Sequence, residues 1–96
     1  MAAPKITLEH AFLSLKTPDE VRRFLVDVCT PAEIQALEQR WWVAQLLNDK
    51  KLSYREIHAV SGASITTVTR VARFLFQEKH EGYKTVLARG ARKTKK

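Results

Sequence analysis

SYREIHAVSGASITTVTRVARFLFQ, residues 53–77, reads as two short helices about a tight glycine turn. Ser53 and Glu56 stand in the Ser-x-x-Glu spacing with which side chains satisfy the orphan backbone N–H groups of a helix start, so the first helix is expected over residues 53–60. Ser61-Gly62-Ala63 interrupts it. Gly62 can take a positive φ without a Cβ penalty, and Ser64 offers an oxygen that caps the next helix. In that second helix Ile65, Val68, Val71, Ala72 and Leu75 recur at helical spacing and are expected to pack on Ile57 and Val60. Thr66, Thr69, Arg70 and Arg73 then face elsewhere, and they are residue types that contact bases and phosphates. The stretch is expected to be a helix-turn-helix whose second helix enters DNA.

Upstream, Thr30-Pro31-Ala32-Glu33 combines a capping threonine, a proline at the first helical position and a glutamate at the third, which opens a long helix over residues 31–48. Ile34, Leu37, Trp41 and Ala44 form one stripe of it, while Trp42, Val43, Leu46 and Leu47 cover much of the remaining circumference. A helix that is apolar all round is a buried one, and in so small a chain the expected place to bury it is between subunits. Trp41 and Trp42 are read as core in preference to a platform for stacking bases. The same start signal recurs at Thr17-Pro18-Asp19-Glu20, followed by Val21, Phe24, Leu25 and Val28 on one face and Arg22, Arg23 and Asp27 on the other. Before it, Thr7 can cap a short helix carrying Leu8, Ala11, Phe12 and Leu15. Downstream of residue 77, a charged linker over 78–81 leads to a last helix with Tyr83, Val86 and Leu87 on one side, which Gly90 is expected to end. No strand pattern or internal repeat is present, so the class is all-α. The organisation expected is one helical domain over 1–90, with the helix-turn-helix at 53–77 and a disordered basic tail over 91–96.

At 96 residues the chain is near the size at which burying enough apolar surface alone becomes difficult, which again favours a partner subunit. Apolar residues make up 45% and charged residues 28%, the balance of a folded, soluble protein. The net charge of +7 is unevenly placed. Six of the 17 basic residues lie from Lys84 onward with no acidic one among them, leaving 11 basic against 10 acidic before that point. Overall charge is therefore a weak argument for nucleic acid, and the tail is either a DNA contact or a solvated end. The single Cys29 excludes an internal disulfide and cannot build a zinc site alone, and it is read as an ordinary buried residue. His10, His58 and His80 are dispersed without metal-ligand spacing. His58 is expected to be partly exposed and near DNA. No nucleophile–base pair, carboxylate pair, metal cluster or phosphate loop is recognisable, so an enzyme is not expected. No apolar run approaches the length of a membrane span and no signal-peptide core is present, so a cytoplasmic protein is expected, nucleoid-associated on the DNA-binding reading.

With residues 53–77 read in this way, a family resemblance emerges. Thr30-Pro-x-Glu33, Ala36-Leu37-x-x-Arg40, Ser53-x-Arg55-Glu56 and Gly62-Ala63-x-Ile65-x-Thr67-x-Thr69-Arg70 resemble the central helix and DNA-reading pair of the bacterial tryptophan repressors. Leu13-Ser14-Leu15-Lys16, Cys29-Thr30, Gly62-Ala63-Ser64 and Gly82-Tyr83 resemble the TrpR-like YerC/YecD subgroup of that family. The resemblance implies an intertwined homodimer of six-helix subunits whose reading heads meet successive major grooves of a pseudo-palindromic site on double-stranded DNA.

By analogy with the family, Ser64, Ile65, Thr66 and Thr69 face base edges, where tryptophan repressors make largely water-mediated contacts. For Thr66 and Thr69 the alternative is plain helix surface. Ile65 meets either a thymine methyl group or the core. Tyr54 and Arg55 are assigned to phosphates, the alternative being a solvated face, and Arg73 is within reach of a phosphate. Arg40 and Arg70 align with the arginines that sandwich the corepressor indole, and Thr30 with a threonine beside its carboxylate. Thr30 has a sufficient reason to be present as a helix cap. Val71 and Phe74 stand where tryptophan repressors carry a glycine and a serine lining the ligand site, and Trp41 replaces a smaller aliphatic residue. The corepressor pocket is therefore expected to be filled or reshaped, and tryptophan dependence is not expected. A different small-molecule corepressor is compatible with this reading. The expected function is a sequence-specific DNA-binding transcription regulator, a repressor by operator occupancy. The alternative is an adaptor that uses the same helices to bind another protein.

Overall fold

In the computed structural model, residues 3 and 5–94 are described, with side chains up to residue 90. They form six helices: α1 (Leu8–Leu13), α2 (Pro18–Val28), α3 (Pro31–Asp49), α4 (Tyr54–Ser61), α5 (Ile65–Phe76) and α6 (Gly82–Thr94). No strand occurs among the described residues, and the all-α class holds. The helices fall into two compact units, one ending at Ile34 and the other beginning at Gln35.

Helix starts are set by hydroxyl caps within the chain's own local sequence. Thr7 accepts from the His10 N–H at 3.1 Å and Thr17 from the Glu20 N–H at 3.1 Å. The Glu20 carboxylate reaches past the cap to the Lys16 N–H at 2.8 Å. At Thr30 the reciprocal pair is complete: its hydroxyl accepts from the Glu33 N–H and the Glu33 carboxylate from the Thr30 N–H, at 3.1 and 2.8 Å. Each such cap contributes about 1 kcal/mol to its helix.

In the first unit α1 and α2 bury no residue. Phe12 and Phe24 meet edge to face with ring centroids 5.2 Å apart. Around that pair the amphipathic pattern is present but uncovered: Val21, Phe24 and Leu25 are half-buried, while Leu8, Leu13 and Val28 are exposed. Cys29, expected to be buried, is half-buried and closes α2 by donating its N–H to the Leu25 carbonyl.

The second unit contains a connected core. Val43, Ala44 and Leu47 of α3, Ile57 of α4, Val68, Val71, Ala72 and Leu75 of α5, and Leu87 of α6 are buried together with Ala63 of the turn. Trp41, Leu46, Leu52 and Tyr83 pack against this cluster. Burial of such aliphatic side chains contributes roughly 1.5–3 kcal/mol each and holds α4 and α5 in place.

Three expectations about packing differ from the structure. Ile65 and Val60 are about half exposed and stand outside the buried core cluster, whereas Ala63 of the turn is fully buried within it. Trp42 is 45% exposed, roughly opposite the buried Val43, Ala44 and Leu47, and Leu37 is equally exposed although helical period puts it on the side of Ala44. Finally, α6 continues through Gly90 to Thr94. A helical glycine costs only about 1 kcal/mol relative to alanine, which neighbouring helix formers offset. Residues 95 and 96 of the expected disordered tail lie outside the described residues.

Candidate nucleic-acid interface

Ser53 and Glu56 form the expected capping box of α4, with bonds of 3.1 Å from the Glu56 N–H to the Ser53 hydroxyl and 2.8 Å from the Ser53 N–H to the Glu56 carboxylate. At the other end Gly62 adopts φ +79° and donates its N–H to the His58 carbonyl at 3.0 Å. A Cβ built on Gly62 would meet only Gln39 Nε2, at 3.8 Å, so it is the left-handed backbone and not lack of space that calls for glycine. Ser64 then caps α5, accepting from the Thr67 N–H at 3.1 Å and donating to the Thr67 hydroxyl.

Between these caps the turn is tied by side chains. The Ser61 hydroxyl donates to the Ile57 carbonyl at 2.7 Å and accepts from the Ala63 N–H at 3.0 Å. Gln39 of α3 donates its amide to the Ser61 carbonyl at 3.5 Å, and His58 Nδ1 lies 2.6 Å from the Ala63 carbonyl oxygen. His58 is exposed, in keeping with the expectation of partial exposure, but sequence reasoning missed both this contact and the Gln39 contact. The i+5 separation of His58 and Ala63 across a glycine was the available signal for the first.

On α5 the buried residues Val68, Val71, Ala72 and Leu75 occupy one side. Thr66, Thr69, Arg70 and Arg73 are all exposed and follow i, i+3, i+4, i+7, a second stripe opposite the first. Ser64 and Ile65 at the start of α5 are exposed, as are Tyr54 and Arg55 in the first turn of α4. Every residue assigned to DNA is thus open to solvent. The stripe is not uniformly free: the Arg73 Nε lies 3.2 Å from a Glu78 carboxylate oxygen. An exposed pair of this kind is worth about 0.2–1 kcal/mol, so Arg73 can exchange Glu78 for another anion at small cost.

The residues aligned with a corepressor site are partly brought together. Arg40, Arg70, Val71 and Phe74 line one cavity of about 580 Å³, walled otherwise by Trp41, Tyr83 and their apolar neighbours. Val71 is buried, and the half-buried Phe74 ring has the Arg70 guanidinium 4.6 Å from its centroid. A cavity thus remains open beside these two side chains. Thr30 lies in the first unit as the cap of α3. Among the described residues no group of three His, Cys, Asp or Glu side chains could hold a metal ion, and no helix is long and apolar enough to cross a membrane.

A capped helix, a left-handed glycine turn and a second helix carrying a hydroxyl and guanidinium stripe define a helix-turn-helix protein. The family model for the Trp repressor protein matches residues 7–91. The chain belongs to the Trp repressor family, a family of DNA-binding regulators. It is 44% identical over 68 residues to the uncharacterised protein YerC of Bacillus subtilis, an alignment that takes in 71% of the chain and 64% of that relative, so slightly under two thirds of the relative's length is spanned. Two solved structures superpose with a TM-score of 0.80 over 88% of the chain. One is a TrpR-like protein from Eubacterium eligens, 42% identical with 84% of it covered; the other, from Staphylococcus aureus and provisionally assigned as a Trp repressor, is 37% identical with 82% covered. These matches support the YerC-like subgroup within the family.

Proposed function

We propose that the chain is a sequence-specific, DNA-binding transcription regulator that acts as a homodimer on a pseudo-palindromic operator and represses by occupying it. The observation that carries the reading is the exposed Thr66, Thr69, Arg70 and Arg73 stripe on a helix whose opposite side is locked into the core. Thr66 and Thr69, with Ser64 and Ile65, read base edges; Tyr54, Arg55 and Arg73 hold phosphates. Affinity comes mainly from phosphate neutralisation and falls steeply with salt, while discrimination comes from α5. Such a protein works in the cytoplasm, at the nucleoid.

The dimer is supported by what one chain leaves uncovered. Neither α1 nor α2 buries a residue, and Leu37 and Trp42 stand exposed on α3. A second copy supplies the missing cover and sets two reading heads about one helical turn of DNA apart. Tryptophan is not required: Val71 and Phe74 take up space that a glycine and a serine leave open in tryptophan repressors, and the Phe74 ring lies against Arg70. A different small molecule in the Arg40–Arg70 cavity remains compatible with this function.

Selection from a random DNA pool, run with and without a cell metabolite extract, tests the proposal. Enrichment of a two-fold related motif is expected. Failure to enrich any sequence, together with a stable protein partner in pull-downs, would replace it with the adaptor reading.

A further inference from the structure

Ala63 is fully buried and sits immediately before Ser64, the residue that caps the reading helix. A buried backbone carbonyl needs a donor, and the His58 imidazole supplies one through Nδ1, 2.6 Å away. A carbonyl oxygen only accepts, so the hydrogen must reside on Nδ1. The bond spans the glycine turn from the last turn of α4 to the threshold of α5. Together with the Ser61 hydroxyl and the Gly62 N–H, it leaves the turn with bonds on both sides of Gly62.

We propose that His58 is a positioning residue for base reading: its Nδ1–H bond to Ala63 sets the angle at which α5 leaves the turn, so that discrimination between DNA sequences depends on it more than affinity does. The inference rests on the DNA-binding function proposed above. Base-edge bonds are short and directional, whereas long basic side chains follow a phosphate through small rotations of the helix. A loosened α5 therefore loses selectivity first.

The test has two arms. In the free protein, imidazole ¹⁵N chemical shifts report which nitrogen carries the hydrogen. The Nδ1–H tautomer of neutral His58 is expected, and the Nε2–H tautomer would overturn the proposal. In the second arm, His58→Ala and His58→Asn are compared on a selected site and on random duplex DNA. His58→Ala is expected to lower the preference for the selected site about fivefold, the size of one net hydrogen bond, with binding to random duplex unchanged. His58→Asn, whose amide N–H can stand in for Nδ1–H, is expected to restore the preference. An unchanged preference in His58→Ala, or equal losses on both DNAs, overturns the role. If the unmodified protein shows no sequence preference, the DNA reading itself fails and the role with it, while the clasp is still read from the tautomer.

Discussion

The Arg70 guanidinium stands 4.6 Å from the centroid of the Phe74 ring, one turn further along α5. The same ring takes Arg73 at 5.0 Å and lies nearly parallel to the His80 imidazole, with centroids 6.0 Å apart. Glu78 joins the group through Arg73 at 3.2 Å and His80 at 3.9 Å. The end of α5 and the linker after it are thereby knitted around one aromatic side chain, with each exposed cation–π contact worth about 0.5–1 kcal/mol.

The Phe74 ring takes up space beside Arg70 that an indole would need. Isothermal titration of the unmodified protein with tryptophan is expected to show no saturable heat near cellular concentrations. Saturable uptake there would reverse the assignment of a tryptophan-independent regulator.

The exposed stripe separates two kinds of contact. Thr66→Ala and Thr69→Ala are expected to change which sequence is selected, by about 1–3 kcal/mol at the affected base pair if a direct contact is lost. Arg55→Gln is expected to weaken all duplexes alike and reduce the slope of log affinity against log salt by about 1. Unaltered sequence preference in both threonine variants would remove the assigned readout.

Gly62→Ala isolates backbone strain, because the new Cβ has room but φ is +79°. The expected loss is about 1–2 kcal/mol, measured by urea denaturation. An equally stable variant would mean that the turn relaxes to another conformation.

Ser53→Ala removes the hydroxyl that caps α4. The expected cost is about 1 kcal/mol, or roughly 4–8 °C in Tm for a domain of this size. Thermal unfolding followed by circular dichroism reads it directly.

Trp42→Lys places a charge on the uncovered side of α3. Size-exclusion chromatography with light scattering is expected to find a dimer for the unmodified protein and a shift toward monomer for the variant. A well-folded monomer without the substitution would exclude the homodimer.

Sequence alone determined what is settled within a few residues. Thr30 with Glu33, Ser53 with Glu56, Gly62 and Ser64 specify where α3, α4 and α5 begin or break, because the bonds involved join positions three or four apart. The core stripe Val68, Val71, Ala72 and Leu75 was legible for the same reason, since helical period places those residues on one side. Period does not say what covers a side. Only tertiary structure decided that Ala63 takes the core position in place of Ile65 and that Trp42 stays exposed while Val43 is buried. Only tertiary structure brought Gln39 to Ser61 across 22 residues, whereas the pairing of Arg40 with Arg70 beside one cavity was already implied by the family resemblance. Local hydrogen bonding is written into neighbouring residues; burial, and the bonds that follow from it, depend on which helix arrives from elsewhere in the chain.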